Sequence, residues 1–243
     1  MAGHILPTGA GRAVMDRRDD PIHTYTLELT GKERPRVLYV GTPTGDDPSY
    51  IVSFYETYHV DRCLPAHLKL FSIKQRDLHE FIVRHDVIHV GGGNTANALD
   101  VWRRHGVDRA MRDAWEAGAI MTGGSAGGLC WFEGGTTDSF GPELKILDDG
   151  LGFLEGSFCP HYDAEDDRKP LFHRAILDGT LSTGYAVWNR VALRFDGTEL
   201  VGAISSEEGG QALKVYRDGG RIVEEQIPVD FLGVGDADRA AAT

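Results

Sequence analysis

The sequence predicts an α/β fold in which a mostly parallel sheet is covered by helices on both faces. Apolar runs bounded by glycine recur along the first two thirds of the chain, with segments of helical spacing between them. After residue 180 the pattern changes to alternating apolar and polar residues around Asp-Gly turns, which predicts antiparallel hairpins and a β-rich C-terminal region. With 243 residues the chain is expected to form one large domain.

Taken in order, the expected strands are Arg36-Val-Leu-Tyr-Val-Gly, Leu68-Lys-Leu-Phe-Ser-Ile, Val87-Ile-His-Val and Ala119-Ile-Met-Thr. Helices are expected from Asp47 to His59, from Asn94 to Arg104 and from Val107 to Ala117, each with apolar residues three or four apart. The hairpin strands are Val191 to Phe195, Glu199 to Ser205 and Ala212 to Tyr216. The small, polar tail from Asp236 to Thr243 is expected to be poorly ordered.

Composition excludes several function classes. A net charge of −12 disfavours nucleic acid, whose binding depends on clustered Lys and Arg. No apolar run approaches the roughly 18 residues that span a bilayer, and Met1 to Pro7 lack the features of a secretory signal, so no membrane association and a cytoplasmic location are expected. Cys63, Cys130 and Cys159 show no paired spacing and are read as buried thiols. No metal-binding histidine spacing occurs, and neither metal nor cofactor is expected.

The chemistry centres on Gly123-x-Ser125-x-Gly127, directly after the apolar segment at 117–121. A sharp strand-to-helix turn lifts such a serine clear of the sheet, and flanking glycines tolerate the crowding. The bland alternative is a glycine-rich loop with an incidental serine. The same turn would aim the Ala126 amide at a reacting carbonyl, as half of an oxyanion hole.

A second feature, Gly91-Gly92-Gly93-Asn94-Thr95, follows the third expected strand and opens a helix. Such a loop lets main-chain amides approach a ligand closely. A phosphate loop is the rival reading, but the Walker lysine is missing and the spacing fails the dinucleotide fingerprint, so Gly92 is assigned as the second oxyanion donor. The third feature is His161, in Pro160-His-Tyr-Asp163-Ala-Glu165, a histidine among carboxylates suited to act as base. His173, expected mid-helix, is its main competitor.

Together these segments resemble the peptidase E family, the aspartyl dipeptidases, from about Arg36 to about Phe195; cyanophycinases are related. The resemblance implies a flavodoxin-like three-layer sandwich akin to class I glutamine amidotransferases, with serine replacing their elbow cysteine. It implies removal of an N-terminal aspartate from Asp-X dipeptides without a metal, with Ser125 as nucleophile and His161 as base. Arg168 matches the family's substrate-binding arginine, and Asn94 of the glycine loop is placed with it at the substrate. The alternative for Arg168 is an ion pair with Glu165, Asp166 or Asp167 on an exposed loop.

One departure stands out. Relatives carry an acidic residue that orients the histidine, and Asn189 aligns with it here. An amide oxygen can orient imidazole but cannot stabilise imidazolium with full charge. Asp138, Asp163 and Glu165 are the other candidates for that role. Three functions follow: an aspartyl dipeptidase, a cyanophycinase-like or other acyl hydrolase, or a binding protein without turnover. The expected partner is a small peptide, and monomer and homodimer are equally compatible with the sequence.

Overall fold

A strand hidden from the sequence reading organises the molecule. In this computed structural model, which describes residues 2–9 and 20–233, β1 (His4–Thr8) lies in the middle of an eight-stranded sheet. The chain continues through α1 (Pro21–Glu28), β2 (Arg36–Val40), α2 (Pro48–Thr57), β3 (Leu64–Leu68), α3 (Leu78–Val83) and β4 (Val87–Val90). Next come α4 (Thr95–His105), α5 (Val107–Glu116), β5 (Ile120–Gly124) and the short α6 (Ala126–Leu129). The strands β6 (Phe132–Thr137), β7 (Lys145–Leu147) and β8 (Leu154–Cys159) precede α7 (Arg168–Asp178). Six strands finish the chain: β9 (Gly184–Val187), β10 (Val191–Asp196), β11 (Glu199–Ser205), β12 (Ala212–Asp218), β13 (Arg221–Ile227) and β14 (Val229–Phe231).

The large sheet runs β14-β11-β10-β1-β5-β4-β2-β3. It is parallel from β1 to β3, while the hairpin β10–β11 joins antiparallel beside β1. A second sheet runs β13-β12-β9-β8-β6-β7. The three expected hairpin strands therefore separate: β10 and β11 extend the large sheet, and β12, paired with β13, ends the smaller one.

Strand alternation builds a core on each face of the large sheet. Leu38 and Val40 of β2 pack with Trp102, Met111 and Trp115 of α4 and α5, in a core that also takes Phe132, Phe158 and Val187 from the second sheet. Val37 and Tyr39, on the other face, pack with Ile22 of α1 and Phe54 of α2. Phe132 and Phe158 stack at 5.0 Å within the core that joins the two sheets. The small sheet is covered in turn by α7, through Phe172 and Ile176 against Leu213 and Val215.

Local chemistry sets the helix ends. The Asp47 carboxylate accepts the Ser49 amide and Pro48 starts α2, an arrangement that satisfies an otherwise orphaned donor. Gly106, at φ 71°, ends α4 in the left-handed conformation that costs glycine little.

One expected strand is misplaced. The paired segment is Leu64–Leu68 rather than Leu68 to Ile73, and Phe71 and Ile73 are exposed. Pro65 reads as a strand breaker, yet β3 is the edge strand, where proline is tolerated. Pro7 hid β1 in the same way: the pairs with β10 run His4, Ile5 and Thr8, passing over Leu6 and Pro7. The tail from Asp236 onward lies outside the described residues.

Candidate active site

Three neighbouring parallel strands, β1, β5 and β4, end side by side, with Thr8 paired to Gly124 and Val90 paired to Gly123. Ser125 follows β5 at φ 55° and ψ −114°, outside the regions open to ordinary residues. Its amide donates to the Thr8 carbonyl at 3.1 Å. The turn is tight enough that a Cβ on Gly127 would lie 2.1 Å from the Val90 carbonyl oxygen, so only glycine fits there. Cys130, five residues on, is fully buried, and burial holds its thiol well above the usual range.

His161 follows β8 of the second sheet, also at positive φ (54°), and its amide donates to the Gly9 carbonyl at 3.2 Å. Serine and histidine, 36 positions apart in the numbering, thus hang from successive carbonyls at the end of β1. Among the described residues the Ser125 hydroxyl has no hydrogen-bond partner.

The far nitrogen of the ring has a defined partner. His161 Nδ1 and Asn189 Oδ1 are 2.7 Å apart, and because a carboxamide oxygen only accepts, Nδ1 carries the proton. Nε2 is left with its lone pair. Asn189 is fixed in turn by its own amide, which donates to Asp163 Oδ1 at 2.8 Å. Of the four candidates for the orienting role, Asn189 alone hydrogen-bonds the imidazole. Asp163 supports Asn189, Glu165 pairs with Arg168, and Asp138 is exposed on the loop after β6. Burial lowers the His161 pKa; the Asn189 hydrogen bond opposes that, Arg168 adds to it, and Glu165 and Asp163 oppose it. His173 lies on α7 as expected, bonded to Tyr162 and Glu224.

The glycine loop joins β4 to α4. The Gly91 amide is spent on Val40 and the Asn94 amide on Pro43, whereas those of Gly92 and Ala126 have no main-chain acceptor among the described residues. Asn94, expected at the substrate, has its side chain engaged within the chain instead. Its Oδ1 caps α4 by accepting the Asn97 amide at 2.8 Å, and its Nδ2 donates to the Ser139 carbonyl at 2.8 Å.

Arg168 occupies neither of the two expected settings alone. It pairs with Glu165 at 2.8 Å, but it is 2% exposed rather than on an open loop. Its Nη1 donates to the Thr136 carbonyl and hydroxyl at the end of β6, while Nη2 carries no partner among the described residues.

Comparison with known proteins gives the family. The model of peptidase family S51 matches residues 5–202. The chain belongs to peptidase family S51. A curated relative, "Uncharacterized peptidase YgaJ" of Bacillus subtilis (strain 168), is 41% identical over 229 residues, covering 94% of this chain and 99% of its own. The structure of a peptidase from an acI-B1 Actinobacterium superposes with a TM-score of 0.66 at 15% identity, covering 94% of this chain and 95% of that one. "A Putative Peptidase E Protein" from Listeria monocytogenes EGD-e gives 0.60 at 18%, covering 83% and 98%. At that identity the two structures bear on the fold, which is the peptidase E fold expected from the resemblance. Among the described residues of this S51 peptidase, no helix is long and apolar enough to cross a membrane.

Proposed function

We propose that this S51 peptidase removes an N-terminal aspartate from Asp-X dipeptides through an acyl-enzyme on Ser125. The observation that carries the reading is the seating of Ser125 and His161 on the Thr8 and Gly9 carbonyls, with Asn189 on the far side of the ring. His161 Nε2 takes the hydroxyl proton as Oγ attacks the peptide carbonyl, and the amides of Gly92 and Ala126 receive the developing oxyanion. The imidazolium then protonates the leaving amine, and water attacks the ester by the same route in reverse. The side-chain carboxylate of the substrate is assigned to the free edge of Arg168, whose planar guanidinium can still offer Nη2.

Replacing Ser125 with Ala is expected to abolish Asp-X cleavage while leaving the melting temperature within a few degrees. Undiminished turnover in that variant would refute the mechanism. The Glu165 partner of Arg168 favours a second reading, because it already neutralises the guanidinium and suits a different acyl group. A panel of Asp-X dipeptides, β-aspartyl-arginine and simple esters separates the two, and preference for either of the last two displaces the first. Asn189 favours a third, a binding protein without turnover. Absence of both fluorophosphonate labelling of Ser125 and hydrolysis across the panel selects it.

A further inference from the structure

From Gly91 to Ala98 almost every main-chain amide is committed. Gly91 donates to Val40, Asn94 to Pro43, and Ala98 to the Asn94 carbonyl. Asn97 donates to the Asn94 side chain. The first amides of α4, which in another protein would attract an anion, are taken by one hydroxyl: Ser139 Oγ accepts from Thr95 at 2.9 Å and from Ala96 at 3.3 Å. With both lone pairs used, that hydroxyl gives its own proton to Thr137 Oγ1 at 2.7 Å. The Ser139 amide also donates to Thr137 Oγ1 at 3.2 Å, and the Ser139 carbonyl accepts from Asn94 Nδ2 at 2.8 Å.

Ser139 therefore closes the helix terminus to ligands and leaves Gly92 and Gly93 as the loop's unspent donors among the described residues. It also ties the loop to the end of β6, the strand whose Thr136 holds Arg168. We propose that Ser139 is a positioning residue, which acts through the glycine loop to hold the Gly92 amide where the oxyanion forms. The proposal rests on the acyl-enzyme reading above. It makes one strand end the common reference for oxyanion donor and substrate-binding arginine.

The test compares wild type with Ser139→Ala, Ser139→Thr, Thr137→Val and a control, Asp77→Ala. Asp77 caps α3 by accepting the Glu80 amide at 2.9 Å and has no hydrogen bond to the glycine loop. Three quantities are measured: thermal melting, kcat and KM on an Asp-X dipeptide, and the phosphorus-31 shift of the Ser125 adduct with diisopropyl fluorophosphate. That phosphoryl oxygen occupies the oxyanion position, so its resonance reads the donors directly. Losing an oxyanion donor outright costs about 100-fold or more in kcat, and a displaced one is expected to cost about tenfold, with KM within about twofold. Ser139→Ala should show that loss and a moved resonance, and Ser139→Thr should restore both. Asp77→Ala should melt lower with kcat and resonance unchanged. Thr137→Val removes the acceptor of the Ser139 proton and should move both readouts in the same direction, which keeps the test decisive if Ser139→Ala does not fold.

A Ser139→Ala protein with wild-type kcat and resonance overturns the proposal alone, since Ser139 is then only a cap. If that variant does not fold, the same result with Thr137→Val overturns it. A wild-type protein that forms no adduct and turns nothing over overturns the acyl-enzyme reading, and the proposal with it.

Discussion

Asn189 offers His161 a dipole where a carboxylate would offer a charge, and the consequence is an imidazole that stays neutral easily. Burial already lowers the His161 pKa, and the amide oxygen opposes this only by hydrogen bonding. The acid limb of kcat/KM should therefore lie below the ordinary histidine value of about 6.5. Asn189→Asp would place a negative charge 2.7 Å from Nδ1, favour imidazolium and move that limb to higher pH. It should also raise the plateau kcat by about tenfold or more, because imidazolium forms on the way to the acyl-enzyme. A pH profile of the variant that overlays the wild type would mean that His161 is not the titrating base. At this scale the sequence singled out Ser125, His161 and Asn189 by residue type alone, and the structure sets the first two on neighbouring carbonyls and the third on the imidazole. It was silent on Ser139 and Gly9, whose contacts rest on hydroxyl and carbonyl groups that any loop possesses, and it offered Asp163 for the imidazole rather than for the Asn189 amide that it accepts. Asn94 meets a related difficulty: its side chain caps α4 and holds the Ser139 carbonyl, and in a sequence a cap residue and a ligand-binding residue look alike.

The elbow works as an element because β5, α6 and β4 touch main chain to main chain. Gly127 meets Val90 and Gly91 with no flexible side chain to give way. Gly127→Ala should destabilise the protein by about 1–3 kcal/mol, the usual cost of overpacking, and suppress phosphonate labelling of Ser125. An unchanged melting temperature with normal labelling would show that the contact carries no constraint. The helices at 48–57, 95–105 and 107–116 were legible because each shows both a buried stripe and an end signal. In α5 the stripe is Val107, Ala110, Met111, Ala114 and Trp115. β6 went unread because Gly134 and Gly135 erase its alternation, and β1 and β3 because each contains a proline. All three strands take their place from tertiary pairing, which no local pattern records.

Across the molecule, the face of the large sheet toward α1 and α2 buries ionisable groups as well as apolar ones. His89 on β4 is 3% exposed and hydrogen-bonds Tyr58, and burial, with His23 nearby, brings its pKa down to about 3. In the unfolded chain the same imidazole titrates at about 6.5, so the unfolded state binds the proton more readily. Stability from this group is complete above about pH 6.5 and is lost progressively as the pH falls toward about 3. His89→Gln should flatten the decline in melting temperature over that window, and equal slopes for the two proteins would exclude His89 as its source. The alternation of strands and helices in the first two thirds was enough to read the α/β class. The second sheet was not legible, since β8 and β9 pair in parallel across 24 intervening residues in the numbering.

The central place of β1 also bears on when proteolytic power can arise. Its ladder partner β10 begins at Val191, so the strand whose end seats Ser125 and His161, through the carbonyls of Thr8 and Gly9, is flanked on one side by chain made much later. A polypeptide emerging in order must export most of its length before that neighbour exists. On the acyl-enzyme reading proposed above, hydrolysis is expected only from a chain made past Val191.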